Sequence, residues 1–102
     1  MPIINRMAEL HDEITAWRQE IHSNPELQYD VHETAANVAS KLEAFGCDEV
    51  VTGIGRTGVV GIIHGKKNDS NYCVGLRADM DALPIQEVRD LPYKAKTPGK
   101  MH

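Results

Sequence analysis

Two carboxylates one residue apart, Asp79 and Asp81, follow the apolar run from Cys73 to Leu76, and Pro84 then stops that run. A carboxylate at the end of a buried strand is costly to desolvate unless a cation, an arginine or a set of donors offsets the loss of water. That cost marks the pair as a candidate site. Side chains two residues apart in an extended chain point to the same side, so Arg77 shares a face with Asp79 and Asp81. One chemistry for this face is a divalent-metal or acid/base site, with Asp79 and Asp81 as the candidate catalytic residues. The other is structural: an Arg77–Asp79 surface ion pair, with Asp81 capping the turn that follows.

Other residues able to do chemistry are sparser. The five histidines are His11, His22, His32, His64 and His102. His11, Thr15, Arg18 and His22 form a stripe beside the apolar face of the first helical segment. They are read as solvated or boundary residues, because His11 and His22 stand too far apart to chelate one ion. No pair has the i, i+4 spacing of a helical zinc site. No Gly-x-Ser-x-Gly elbow occurs, and neither cysteine has a nucleophile signature. Gly53-x-Gly55-x-x-Gly58 matches a dinucleotide fingerprint by letters. It lies between two strand-like segments and opens no helix, so it reads as a tight turn.

The elements that must position these residues follow from periodicity. Ile3, Met7, Leu10, Ile14, Trp17 and Ile21 mark one face of a long amphipathic helix, which Asn24-Pro25 ends. Asp30 with Glu33 reads as a capping box. Val31, Ala35, Val38, Leu42 and Phe45 mark a second helix, and Gly46 is its natural stop. Asp48 to Thr52 is a short strand. Val59 to His64 reads as a strand buried on both faces. Across the polar loop from Lys66 to Asn71, Tyr72 to Arg77 is expected to pair with it as an antiparallel hairpin. Tyr93 to Thr97 is a further short strand. The expected fold is α/β, with two N-terminal helices packed on a small mixed sheet. The apolar strands need cover on a second face, which points to a larger α/β domain or to self-association through an uncovered sheet face.

Composition limits the alternatives. At 102 residues the chain is at most one domain of ordinary size, and 41% apolar with 25% charged residues fits a soluble globular protein. The net charge of −4 lacks the basic excess of a nucleic-acid surface. No apolar run approaches the roughly 18 residues of a membrane span. Cys47 and Cys73 lack metal-type spacing and read as reduced buried thiols. With no signal-peptide pattern at the N-terminus, the expected location is cytoplasmic.

With these residues in view, the chain resembles the N-terminal part of the hippurate hydrolase-like amidohydrolases, within the metal-dependent aminoacylase and carboxypeptidase superfamily. The match is carried by Trp17-Arg18-Gln19-Glu20-Ile21-His22-Ser23-Asn24-Pro25-Glu26-Leu27, by Glu33-Thr34-Ala35 and by Thr57-Gly58-Val59-Val60-Gly61. Its strongest segment is Gly75-Leu76-Arg77-Ala78-Asp79-Met80-Asp81-Ala82-Leu83-Pro84-Ile85, with Pro98-Gly99-Lys100-Met101-His102 closing it. Together the pieces cover nearly the whole chain in order.

The resemblance implies the N-terminal portion of a zinc-exopeptidase-like catalytic domain. It implies hydrolysis of the amide bond of a small N-acyl amino acid at a two-metal site, where metals polarise the carbonyl and activate water. Asp81 matches the aspartate of the superfamily's His-x-Asp motif, which orients a neighbouring metal ligand. Asp79 stands where many relatives carry a histidine ligand. In the family, Lys-Met-His is followed by Ala-Cys-Gly-His-Asp, which carries the first cysteine and histidine ligands. Residues 1–102 are therefore expected to be an incomplete portion of the catalytic domain, without the dimerisation domain. By itself the chain should hold no metal and catalyse nothing; zinc, manganese or cobalt is expected for the full-length protein. Two other classes remain: a self-contained binding domain, and an Asp-x-Asp phosphotransferase of the haloacid dehalogenase type.

Overall fold

The computed structural model describes residues 4–67 and 71–102. Ile3, the first residue of the predicted helical face, and residues 68–70 of the predicted polar loop lie outside them. The fold is mixed α/β, in the order α1 (Asn5–Glu9), α2 (His11–Ser23), α3 (His32–Ala44), β1 (Glu49–Ile54) and β2 (Gly58–Ile62). Two compact units divide the chain: Gln28–Asp81, and Met1–Leu27 with Ala82–His102.

In the Gln28–Asp81 unit, α3 packs on the antiparallel β1–β2 hairpin. Its end is set by Gly46, as the sequence predicts. Gly46 has φ +86 and gives its N–H to Glu43, while the N–H of Cys47 reaches back to Leu42. This is a Schellman closure, in which a left-handed glycine returns two orphan carbonyls to hydrogen bonds. The start of α3 differs from the predicted capping box. Val31 is the N-cap, no side chain caps it, and the Asp30 side chain lies in solvent. Val31 is 2% exposed, so burial of its side chain rather than a capping oxygen fixes this entry.

Gly61 lies directly under α3: a Cβ there would stand 3.2 Å from Leu42 and 3.3 Å from Cys47. Strand alternation puts Val59 on the same face, and pairing of Val50 with Gly61 adds Val50. Val51 and Val60, paired with each other, occupy the opposite face and are each 41% exposed. The reading of β2 as buried on both faces is therefore corrected: one face is covered.

The hairpin itself is a second correction. Strand β2 pairs with β1 rather than with Tyr72 to Arg77, and residues 71–77 form no strand. Tyr72, Val74 and Leu76 are 94%, 85% and 96% exposed. The turn joining β1 to β2 occupies only Gly55, Arg56 and Thr57, with φ +57 at Gly55 and +88 at Arg56. A shorter loop costs less closure entropy, and three-residue turns with left-handed positions are common hairpin closures. The Asp48 carboxylate accepts the His64 N–H at 2.6 Å across the open end of the hairpin.

In the other unit, the single long helix predicted from the N-terminus is two helices. Leu10 joins them with φ −88 and ψ −3, and its N–H is shared between Arg6 and Met7. Helix α2 ends at Ser23, just before Asn24-Pro25, as predicted. Neither helix buries a residue, and Ile14 remains 45% exposed. Residues 82–102 form an arm held by backbone bonds. Ala82 donates to Glu26 at 2.7 Å, Leu83 and Met101 bond each other in both directions, and Lys96 donates to Ser23 at 2.9 Å. The predicted strand from Tyr93 to Thr97 is instead turns and bends, with the Lys94 N–H closing on Leu91. Both cysteines are free, but neither is buried: Cys47 is half-buried and Cys73 exposed.

Candidate functional site

The Asp79–Asp81 pair lies at the end of the Gln28–Asp81 unit. Arg77 Nη2 stands 2.7 Å from Asp79 Oδ1, so the two side chains that spacing places on one face do meet. Asp81 is exposed and makes no hydrogen bond among the described residues. Arg77, Asp79 and Asp81 line an open hollow of about 290 Å³ together with Tyr29, Ile54 and Thr57 among others. The turn residue Arg56 lies over the Tyr29 ring, 5.4 Å from its centre. One guanidinium answers one of the two carboxylates, and Asp81 is left facing solvent. The carboxylates meet solvent here, so the desolvation cost that singled them out in the sequence is not incurred. Among the described residues, no group of three His, Cys, Asp or Glu side chains comes together to hold a metal.

A second polar cluster lies in the other unit. His22 Nε2 and Glu87 Oε1 are 2.9 Å apart, with side chains 13% and 4% exposed. Glu87 Oε2 accepts the Ala95 N–H at 2.8 Å. The Tyr93 ring meets His22 edge-on at 5.6 Å, and the Arg18 guanidinium lies 5.5 Å over that ring. The Ala95 N–H and then the His22 hydrogen bond hold the Glu87 carboxyl below the usual carboxylate range, against the opposing effect of desolvation. Next to this cluster lies a cavity of about 500 Å³ lined by Arg18, His22, Glu87, Arg89, Tyr93 and His102 among others.

Sequence reasoning read His22 as a solvated or boundary residue and did not single out Glu87. The two are 65 residues apart, beyond the reach of any periodicity; the one local signal was the Arg18–His22 stripe on α2. Of the remaining histidines, His102 lines the cavity beside the His22–Glu87 cluster, and the other three join neither cluster. His11, His32 and His64 are exposed, and His32 lies 4.0 Å from Asp30.

No family model matches the chain. Individual proteins do. Hippurate hydrolase of Campylobacter jejuni is 50% identical over 102 residues, all of this chain and 26% of that protein. Thermostable carboxypeptidase 2 of Saccharolobus solfataricus is 46% identical over 99 residues, covering 96% of this chain and 24% of the relative. N-acyl-L-amino acid amidohydrolase of Geobacillus stearothermophilus is 37% identical over 94 residues, 92% of this chain and 25% of its own length. The chain thus spans about a quarter of the length of the curated relatives it matches. Identity at this level along the whole of residues 1–102 leaves one assignment: the chain belongs to the family of hippurate hydrolase-like amidohydrolases.

Proposed function

We propose that residues 1–102 are the N-terminal portion of the catalytic domain of an amidohydrolase that cleaves the amide bond of small N-acyl amino acids. The observation that carries this reading is the chain-long match at 50% identity to a hippurate hydrolase, joined by the match to an N-acyl-L-amino acid amidohydrolase. In this reading Asp81 orients a metal ligand and Asp79 stands beside it, tied to Arg77. The residues described here do not by themselves fit a metal: the pair is solvated, Asp79 is engaged by Arg77, and no third ligand joins them. The divalent metal, zinc, manganese or cobalt, then belongs to the complete protein, with ligands from outside these residues, and the isolated chain is inactive. We also propose a cytoplasmic setting, in which Cys47 and Cys73 stay reduced.

The test is a chimera. Residues 1–102 replace the corresponding 102 residues of the Campylobacter jejuni relative, and hydrolysis of N-benzoylglycine and other N-acyl amino acids is followed with added zinc, manganese or cobalt. The expected result is turnover by the chimera, its loss on Asp81→Ala, and none by the isolated chain. A folded chimera with no amidase activity defeats the reading; turnover by the isolated chain defeats the claim that it is inactive.

A second reading has its own observation. Tyr72, Val74 and Leu76 stand in solvent, and one sheet face carries Val51 and Val60 uncovered. Exposed apolar surface of this kind invites association. Self-association would appear as a concentration-dependent mass in sedimentation equilibrium, and a monomer at all concentrations removes it.

A further inference from the structure

We propose that Glu87 and His22 form an acid-sensitive latch that fastens the 82–102 arm to α2. The arm has no helix or strand of its own, so its position depends on a few hydrogen bonds and on the contacts of Tyr93 with His22 and Arg18. Most of the hydrogen bonds are neutral backbone bonds: Ala82 to Glu26, Leu83 with Met101, and Lys96 to Ser23. Glu87 is the exception. Its side chain is 4% exposed, and its two oxygens serve two different elements, His22 on α2 and the Ala95 N–H within the arm. A single carboxylate thus fixes the middle of the arm both to the helix and to itself. The neighbouring Gln86 side chain repeats the internal tie by accepting the Gly99 N–H at 2.7 Å.

Charge makes this fastening conditional. From α2, His22 and Arg18 face the same cavity as Glu87; from the arm, Arg89, Tyr93 and His102 do, with Lys94 near enough to favour the ionised carboxyl. Glu87 is the acid among them. On protonation, one of its oxygens becomes a donor facing a group that was itself donating. His22 then loses its anionic partner, and Arg18, Arg89 and Lys94 lose the Glu87 charge beside them. Because the folded carboxyl is held low, its contribution to stability is complete above the ordinary carboxylate range. It is lost as pH falls through the lowered folded value.

The experiment is amide hydrogen exchange, with NMR shifts, on the whole 102-residue chain between about pH 7 and pH 2. Protection at Ala95, Lys96 and Met101 is expected to fall, and the Ala95 amide to shift, at a pH where β1–β2 amides stay protected. Glu87→Gln keeps an accepting oxygen but cannot ionise. It should lower arm protection at neutral pH by about tenfold, the effect of one charge-assisted hydrogen bond, and should abolish the pH step. Persistence of the step in Glu87→Gln overturns the latch. So does simultaneous loss of arm and hairpin protection in the unaltered chain, a comparison that decides the matter even where the variant fails to dock its arm.

Discussion

The guanidinium of Arg77 lies 2.7 Å from the Asp79 carboxylate, yet the two side chains are 86% and 60% exposed. Close contact in water is weak contact: Coulomb attraction at high dielectric is largely cancelled by the entropy of holding both side chains still. Arg77→Gln and Asp79→Asn should therefore each change unfolding free energy by less than about 1 kcal/mol. Half a molar salt, about 0.5 M, should erase most of the coupling between them. Urea titrations of the two single variants and the double variant measure this. A coupling well above that size would mean that Asp79 is desolvated in solution.

The hairpin turn makes a sharper claim. A Cβ on Gly58 would run into the carbonyl oxygen of Ile54, which is backbone and cannot move aside without opening the turn. A Cβ on Gly61 would meet the side chains of Leu42 and Cys47, which can yield by a few tenths of an ångström. Gly58→Ala should cost about 1–3 kcal/mol, as overpacking does, and Gly61→Ala distinctly less. Thermal unfolding of both variants, followed by far-UV circular dichroism, gives the order. The reverse order would place the tight contact of this unit under α3 instead of in the turn.

What the sequence disclosed, and what it concealed, follows from the range of each interaction. The stop of α3 at Gly46 was legible because a Schellman closure is built from residues next to one another. The Arg77–Asp79 contact was legible because a spacing of two fixes which side a chain in extended form presents. The partner of β2 was not. Both β1 and the 72–77 run are apolar and strand-like, and only the three-residue turn at Gly55 to Thr57 decides between them. The entry to α3 misled because Asp30 and Glu33 carry the letters of a capping box, while burial of Val31 sets the backbone. The His22–Glu87 pair was out of reach altogether, since helical periodicity says which face His22 occupies and nothing about a residue 65 positions on.

Val31 offers a direct measure of how much one buried side chain carries in so small a core. Among the hydrophobic residues described, Val31 and Ala82 are the buried ones, and they belong to different units. Removing two methyl groups from Val31 forfeits apolar burial and leaves a void, while its carbonyl still accepts the Ala35 N–H at 2.8 Å. Val31→Ala should destabilise the Gln28–Asp81 unit by about 1.5–3 kcal/mol. Exchange protection in β1 and β2 should fall with it. A change within experimental error would mean that the α3–hairpin contact is held by other groups.

Metal addition tests the proposed division between this chain and a complete amidohydrolase. A cation that binds the folded state stabilises it by RT ln(1 + [L]/Kd), about 2.7 kcal/mol at a hundredfold excess over Kd. Zinc favours four ligands of nitrogen, sulfur or oxygen. The hollow at Asp79 and Asp81 presents two solvated carboxylates, one already engaged by Arg77, and no third His, Cys, Asp or Glu joins them among the described residues. Thermal scans of the 102-residue chain with zinc, manganese or cobalt should show no saturable rise in unfolding temperature. The chimera that restores the other three quarters of the relative should show one, and Asp81→Ala should reduce it. A saturable rise in the isolated chain that disappears with Asp79→Asn would locate a cation on these carboxylates after all. It would also move the metal from the complete protein to this chain.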